Sequence, residues 1–246
     1  ACELMDHGWQ MKPLHRLILT SDAYRRASLP SADQRKLVSK NSSRDPENHQ
    51  LWRQNSYRME AEVVRDATLH VAGKLDTSMF GPDLDPNTGL TLGRRSIYFR
   101  NSKEKKMTFL AAFDSPNPVE CYQRPESISP LQSLAMSNSS LTRAQSRNVA
   151  AKISEQLTTE SKEDASRKFV TLAFEQVLNR EPNGEEVTEC LAFLQQQSDR
   201  FADAATLTAF PQGNDNPGKP SADPVQRARE NLIHVLFNHS DFVTVR

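Results

Sequence analysis

Four charged residues, Arg58, Glu62, Arg65 and Asp66, fall within nine positions, with separations of three and four among them. On a helix that spacing is expected to place all four on the face opposite the apolar stripe, within reach of one another. Arginine forks in such a set bind a carboxylate or phosphate through paired N–H donors. Glu62 or Asp66 could equally serve as a general base or a metal ligand. The commoner fate of charges on a packed helix is an internal ion-pair network. Here that network would tie the helix to a neighbouring hairpin through Arg95 or Asp114.

Other candidates are weaker. His15 has the imidazole of a proton carrier, yet no matched nucleophile lies near it in the sequence, and a packed, locally bonded ring explains it as well. Asp83-Leu-Asp-Pro-Asn87 places oxygen side chains at alternate positions, as calcium loops do. Thr88 and Arg94 then stand where such a loop needs glycine and a bidentate glutamate. Asp114-Ser-Pro-Asn-Pro118 leads to Cys121-Tyr-Gln-Arg124, where Arg124 could lower a cysteine pKa, although a buried inert cysteine is the plainer reading. The sequence lacks a His-Glu-x-x-His helix, a Gly-x-Ser-x-Gly elbow, a phosphate-binding glycine loop and a Cys-x-x-Cys-His haem site. It calls for no cofactor and no metal.

Helical periodicity dominates the elements that would position these residues. Met11, Leu14, Leu17 and Ile18 form one stripe, with Ser21 capping a further turn. Residues 27–50 read as loop. Residues 52–75 read as one long helix with Tyr57, Ala61, Val64, Thr68, Val71 and Leu75 on its apolar line. After an irregular 73–93 connection, Ser96–Arg100 and Met107–Phe113 read as two strands of a hairpin. The second half is helical: a helix from Pro130 broken near 137–140, another to about Leu157, and an apolar face from Phe169 to Leu178. Next comes a helix capped by Asn183 and Glu186. A last one opens at Asp223-Pro224 and buries Val225, Ala228, Leu232, Val235 and Leu236. Residues 199–223, rich in Pro, Gly, Asn and Asp, are expected to form a mobile loop. The fold class is therefore mainly α, a multi-helix domain spanning 1–246 with one small antiparallel hairpin.

Composition narrows the partners. The 31 basic residues balance 31 acidic ones in 246, so no global field draws the chain to nucleic acid. No apolar run approaches the roughly 20 residues that cross a bilayer, and the first residues lack a signal-peptide pattern. Cys2, Cys121 and Cys190 are odd in number and far apart, which is no disulfide framework, although one pair could form in an oxidising compartment.

A longer pattern runs through Trp9–Ser21, Trp52-Arg53, Arg58-Met-Glu-Ala-Glu-Val-Val-Arg-Asp66, Arg95-Ser-Ile-Tyr98 and Asp114-Ser-Pro116. It continues through Cys121–Arg124, Pro130-Leu-Gln-Ser-Leu134 and Asn238–Val245. It resembles the C-terminal domain of unknown function, of the DUF1553 type, in large exported planctomycete proteins that often carry a cytochrome c-like domain. Ile128-Ser129 and Met136-Ser137 depart from that pattern. The resemblance implies export to the periplasm or cell surface and a fragment of a longer multidomain chain. The family's biochemical role is unknown, and the first functional expectation for this chain is a non-catalytic binding or interaction module. Its partners would be other domains of the parent protein, a redox domain among them, a cell-surface protein or a polysaccharide. Trp9, Trp52, Tyr57, Tyr98 and Tyr122 are the aromatics that could stack on sugar. The ligand-binding candidates are His15, Arg58, Glu62, Arg65, Asp66, Arg95, Asp114 and Arg124. The alternative is a hydrolytic enzyme acting on a polymer through Glu62 and Asp66, with His15 or Arg58 in support. An enzyme would show a concave site with a displaced pKa. A binding module would show a surface or groove whose charges are paired.

Overall fold

The computed structural model describes residues 1–28, 35–120, 130–158, 162–203 and 218–245, together with Arg124, Ser127 and Leu207. The chain divides into two compact units, Ala1–Arg58 with Thr244–Arg246, and Met59–Val243.

The first unit contains α1 (Cys2–Asp6), α2 (Met11–Leu19), α3 (Arg35–Arg44) and β1 (Tyr57–Arg58). β1 pairs antiparallel with β2 (Thr244–Val245), Tyr57 opposite Val245 and Arg58 opposite Thr244. Polar turns hold this unit. The Asp45 carboxylate accepts the N–H groups of His49 and Gln50 at 2.9 and 2.8 Å, and the Trp52 indole donates to the Asp45 carbonyl. Asn48, buried at a left-handed φ of 59°, exchanges bonds with Arg53 and donates to Asn55. The loop expected over 27–50 thus contains a helix. Its periodicity is faint because only Leu37 and Val38 interrupt a polar run.

The second unit holds the hydrophobic core. Its helices are α4 (Ala61–Val71), α5 (Thr108–Ala112), α6 (Pro130–Asn138), α7 (Ser140–Gln156), α8 (Lys162–Leu178), α9 (Gly184–Ala202) and α10 (Pro224–Phe237). α10 packs against α7, α8 and α9, while α4 packs against α5 and α7. Val64, Val149, Ile153, Phe169, Val170, Ile233 and Phe237 lie fully inside, and Phe237 meets Phe242 edge-on with centroids 4.9 Å apart. Ser139 caps α7 and separates it from α6. Asn183 and Glu186 form a reciprocal capping box on α9, and Asp223 caps α10 ahead of Pro224.

The fold is mainly α with a single two-stranded antiparallel sheet among the described residues. Its strands are β1 and β2, not 96–100 and 107–113. Ser96–Tyr98 is a 3-10 turn and Thr108–Ala112 an α-helix. The Asp66 carboxylate takes the Ser96 N–H and hydroxyl, and the segment's backbone bridge runs from Phe99 to Leu84 and not to 107–113. Met107, Phe109, Leu110 and Phe113 are buried together, a spacing that a short apolar run shares between strand and helix. The long 52–75 helix is also shorter than its periodicity suggests. Met59 donates its N–H to the Val243 carbonyl, Glu60 stays extended, and α4 begins at Ala61. On α10, Val225 and Val235 face outward while Ile233 and Phe237 point inward. Most of the 199–223 stretch lies outside the described residues, and α9 runs through its first positions to Ala202.

Candidate functional site

Arg65 is the organising residue of the site. It sits with Ala61, Val64, Thr68 and Leu69 on the buried face of α4 and is completely shielded from solvent. Its Nε donates to the Gly89 carbonyl at 2.8 Å, Nη2 to the Leu92 carbonyl and Nη1 to the Arg94 carbonyl at 2.8 Å. Nη1 also reaches the Ser96 hydroxyl at 3.2 Å and Asp66 at 3.4 Å, and the guanidinium lies 4.7 Å over the Phe99 ring. A planar fork suits several divergent carbonyls in a way an ammonium does not. Burial lowers the Arg65 pKa to about 10, and Asp66 offsets only part of that effect.

Asp66 completes the junction. One carboxylate oxygen accepts the Ser96 N–H at 2.8 Å and its hydroxyl at 2.6 Å; the other lies 3.8 Å from the Arg95 Nε. Together Arg65 and Asp66 fasten the 73–101 connection to α4. Two glycines permit its path. A Cβ on Gly93 would stand 2.4 Å from the Lys74 carbonyl oxygen, and one on Gly89 would strike the Met107 side chain.

Between α4 and this connection opens a cleft of about 710 Å³. Its apolar lining includes Val63, Ala67, Ile97, Phe99, Met107 and Leu110, and its charged lining includes Glu60, Glu62, Asp66, Arg95, Arg100 and Arg124. Ile97 and Val63 are 72% and 45% exposed. Arg124 donates to Glu62 at 2.6 Å and lies 3.6 Å from Glu60. The Glu62 bond raises the Arg124 pKa above its ordinary value, against a smaller opposing effect of burial. Arg100 pairs with Asp83, which holds the Asp83 carboxyl below its usual range and raises the Arg100 pKa.

The structure therefore gathers Glu62, Asp66, Arg95 and Arg124 at the cleft and places Arg65 beneath its wall. It does not bring the other candidates there. His15 is exposed on α2, and Arg58 lies on β1; both belong to the first unit. Asp114, at a left-handed φ of 59°, turns its carboxylate to the Ser127 N–H and hydroxyl and to Gln132. Arg65 is not on an open charged face with Arg58, as the spacing suggests, because Arg58 is outside α4 and Arg65 shares the core side of the helix. Asp85 caps the 3-10 turn Pro86–Thr88. Cys121 and Tyr122 lie outside the described residues. No cluster of three or more potential metal-ligating side chains occurs among the described residues.

Sequence reasoning missed Val63, Ile97 and Leu110 as cleft residues, since isolated apolar side chains carry no functional mark. It also missed Ser96, whose bonds to Asp66 depend on residues thirty positions apart.

A family model described as a protein of unknown function (DUF1553) matches residues 1–194. No curated protein and no solved structure matches the chain.

Proposed function

The chain belongs to the DUF1553 family of proteins of unknown function, and on that footing we propose that it is a non-catalytic interaction module of an exported multidomain bacterial protein. Its α4 cleft receives an extended polypeptide segment of another domain or a cell-surface partner. One observation carries this reading: the cleft pairs its charges internally and leaves two of its apolar side chains, Val63 and Ile97, open above a buried apolar floor of Phe99, Met107 and Leu110. Glu62 is held by Arg124, Asp66 by Ser96 and Arg65, and Arg100 by Asp83, whereas Val63 and Ile97 face outward. Exposed apolar surface within a polar rim is the usual form of a recognition groove. Arg95, with its side chain 53% exposed, is the rim cation for a carboxylate of the bound segment.

The hydrolytic alternative requires a carboxylate at liberty to exchange a proton with substrate. Glu62 meets a permanent cation and Asp66 meets N–H and O–H donors, so neither supports that role. The polysaccharide alternative requires an open aromatic platform. Among the described residues that line the cleft there is no Trp or Tyr, and Phe99 is buried. Export rests on the family resemblance. No helix among the described residues is long and apolar enough to cross a membrane.

Selection of displayed random decapeptides on the whole chain, counter-selected on Val63→Asp/Ile97→Asp, tests the reading. Peptides with alternating apolar residues and an acidic position should bind the parent at least tenfold more tightly than the variant. Binders indifferent to both substitutions would overturn it. So would release of fragments from a polymer substrate that disappears in Glu62→Gln.

A further inference from the structure

A second concavity within the same unit opens where the first turns of α8, the middle of α9 and the start of α10 meet. Helical spacing builds it: Leu191 and Leu194 face it from α9, three positions apart, and Val225 and Ala228 face it from α10 in the same way. The cleft measures about 760 Å³, and its exposed lining is more apolar than polar. That size and character suit a small amphipathic molecule.

Arg229, one position beyond Ala228, carries a charge that the fold leaves unanswered. Arg65, Arg147 and Arg180 meet carboxylates at 3.4, 3.7 and 2.9 Å. Half-buried Arg229 lines the cleft and forms no ion pair among the described residues. Its guanidinium lies 5.0 Å over the buried Phe169 ring and donates to the Ser154 hydroxyl at 3.0 Å. Ser154 donates onward to Gln226 at 2.7 Å, so the fork is held in one orientation. Burial lowers the Arg229 pKa from its ordinary value, and Asp223 opposes only part of that effect. Asp223 itself accepts the Gln226 N–H as the cap of α10. With exposed Arg167 on the α8 wall, two cations stand against that one carboxylate.

We infer that the α8–α10 cleft binds a small amphipathic carboxylate, its acyl chain along Leu191, Leu194, Val225 and Ala228 and its headgroup on the Arg229 fork. A preset guanidinium over an aromatic ring matches a planar carboxylate, and an amphipathic cation would meet Arg167 and Arg229 as like charges. A peptide's free C-terminus offers the same carboxylate but brings amides that need partners, whereas Gln195 already gives its amide to Asp199 at 2.9 Å. This site shares no residue with the α4 cleft and does not depend on the reading of that cleft.

The experiment titrates the whole chain by calorimetry with decanoate, octanoate, decyltrimethylammonium and N-acetyl-leucyl-leucine, each below any micelle concentration, and locates binding by hydrogen exchange. Decanoate should bind at least tenfold more tightly than the cation of equal chain length. It should bind roughly tenfold more tightly than octanoate, which buries two fewer methylenes. Exchange should slow in α9 and at the start of α10. Arg229→Gln should weaken decanoate at least tenfold without weakening the cation, and Arg229→Lys should restore part of the loss. Val225→Asp sets a carboxylate on the wall and should abolish decanoate binding. Val225 is 47% exposed, and an acid in the first turn of a helix is tolerated, so this variant folds even if Arg229→Gln does not. Val63→Asp/Ile97→Asp should bind decanoate like the parent. The inference is overturned if decanoate does not bind, if the cation binds as tightly, or if Arg229→Gln and Val225→Asp bind like the parent. Protection at α4 in place of α9 and α10, or tighter binding of N-acetyl-leucyl-leucine than of decanoate, also overturns it.

Discussion

Replacing Arg65 with methionine removes the donors that reach the carbonyls of Gly89, Leu92 and Arg94 and the Ser96 hydroxyl. Asp66 keeps Ser96 and a distant Arg95 but loses its buried cation. Methionine fills similar volume and adapts its shape, so the cavity contribution is small. Breaking one side of a buried, hydrogen-bonded ion pair costs about 3–5 kcal/mol. Burying Arg65 is itself unfavourable, since its pKa falls to about 10 despite Asp66. We therefore expect the lower end of that range, about 3 kcal/mol. With a urea dependence of about 2–3 kcal/mol per molar, the midpoint should fall by roughly 1–1.5 M. Far-UV circular dichroism, dominated by α7–α10, follows the transition. Arg65→Lys should recover only part of the loss, because an ammonium cannot span three divergent carbonyls. Glu62→Gln is the internal comparison. Its pair with Arg124 is 25% and 34% exposed, so solvent screening should limit the loss to about 0.5–1 kcal/mol. An Arg65→Met stability within about 0.5 kcal/mol of the parent would refute the reasoning, since the connection would then hold its shape without the guanidinium.

Three further outcomes are expected. The Glu186 carboxyl is held below its ordinary pKa, first by the bond from Arg180, so its contribution is present above the unfolded-state value of about 4.3 and is lost as pH falls through the folded value. Glu186→Gln should cost about 1 kcal/mol at neutral pH, with the difference shrinking towards pH 3; a constant difference in urea titrations across that range would contradict this. Gly93→Ala should destabilise by about 1–3 kcal/mol because its Cβ meets backbone, and more than Gly89→Ala, whose obstacle is the flexible Met107; the reverse order of thermal midpoints would be incompatible with the packing. Burial pushes the Cys190 thiol up to about 11. Peptide mass spectrometry should therefore find its alkylation at pH 8 about 100-fold slower than that of exposed Cys2, and equal rates would argue against the buried position.

The helical second half was legible because its signals are local. Asn183 with Glu186, Asp223 with Pro224, and the Phe169–Leu178 face each declare themselves within a few residues. The region from 52 to 113 was not, because its conformation is set by distant partners. Val243 holds Met59 extended, and Asp66 draws Ser96 into a turn. The charged cluster was recognised, but its side of the helix was not. The helical series Ala61, Val64, Arg65, Thr68 and Leu69 follows the core side closely, and it places an arginine where an apolar residue would ordinarily stand. Read at that period, it was the available sign that Arg65 faces inward.

Arg65 grips the 73–101 connection largely through main-chain oxygens, and a carbonyl is nearly the same whatever side chain its residue bears. The path of the cleft wall is thus decoupled from the identities of Leu92 and Arg94, whose backbones are held while their side chains are left to other duties. A wall anchored in this way can change its surface chemistry by substitution without surrendering its shape. It is a frame on which different specificities can be written, provided that position 65 keeps its fork and position 93 keeps its missing side chain.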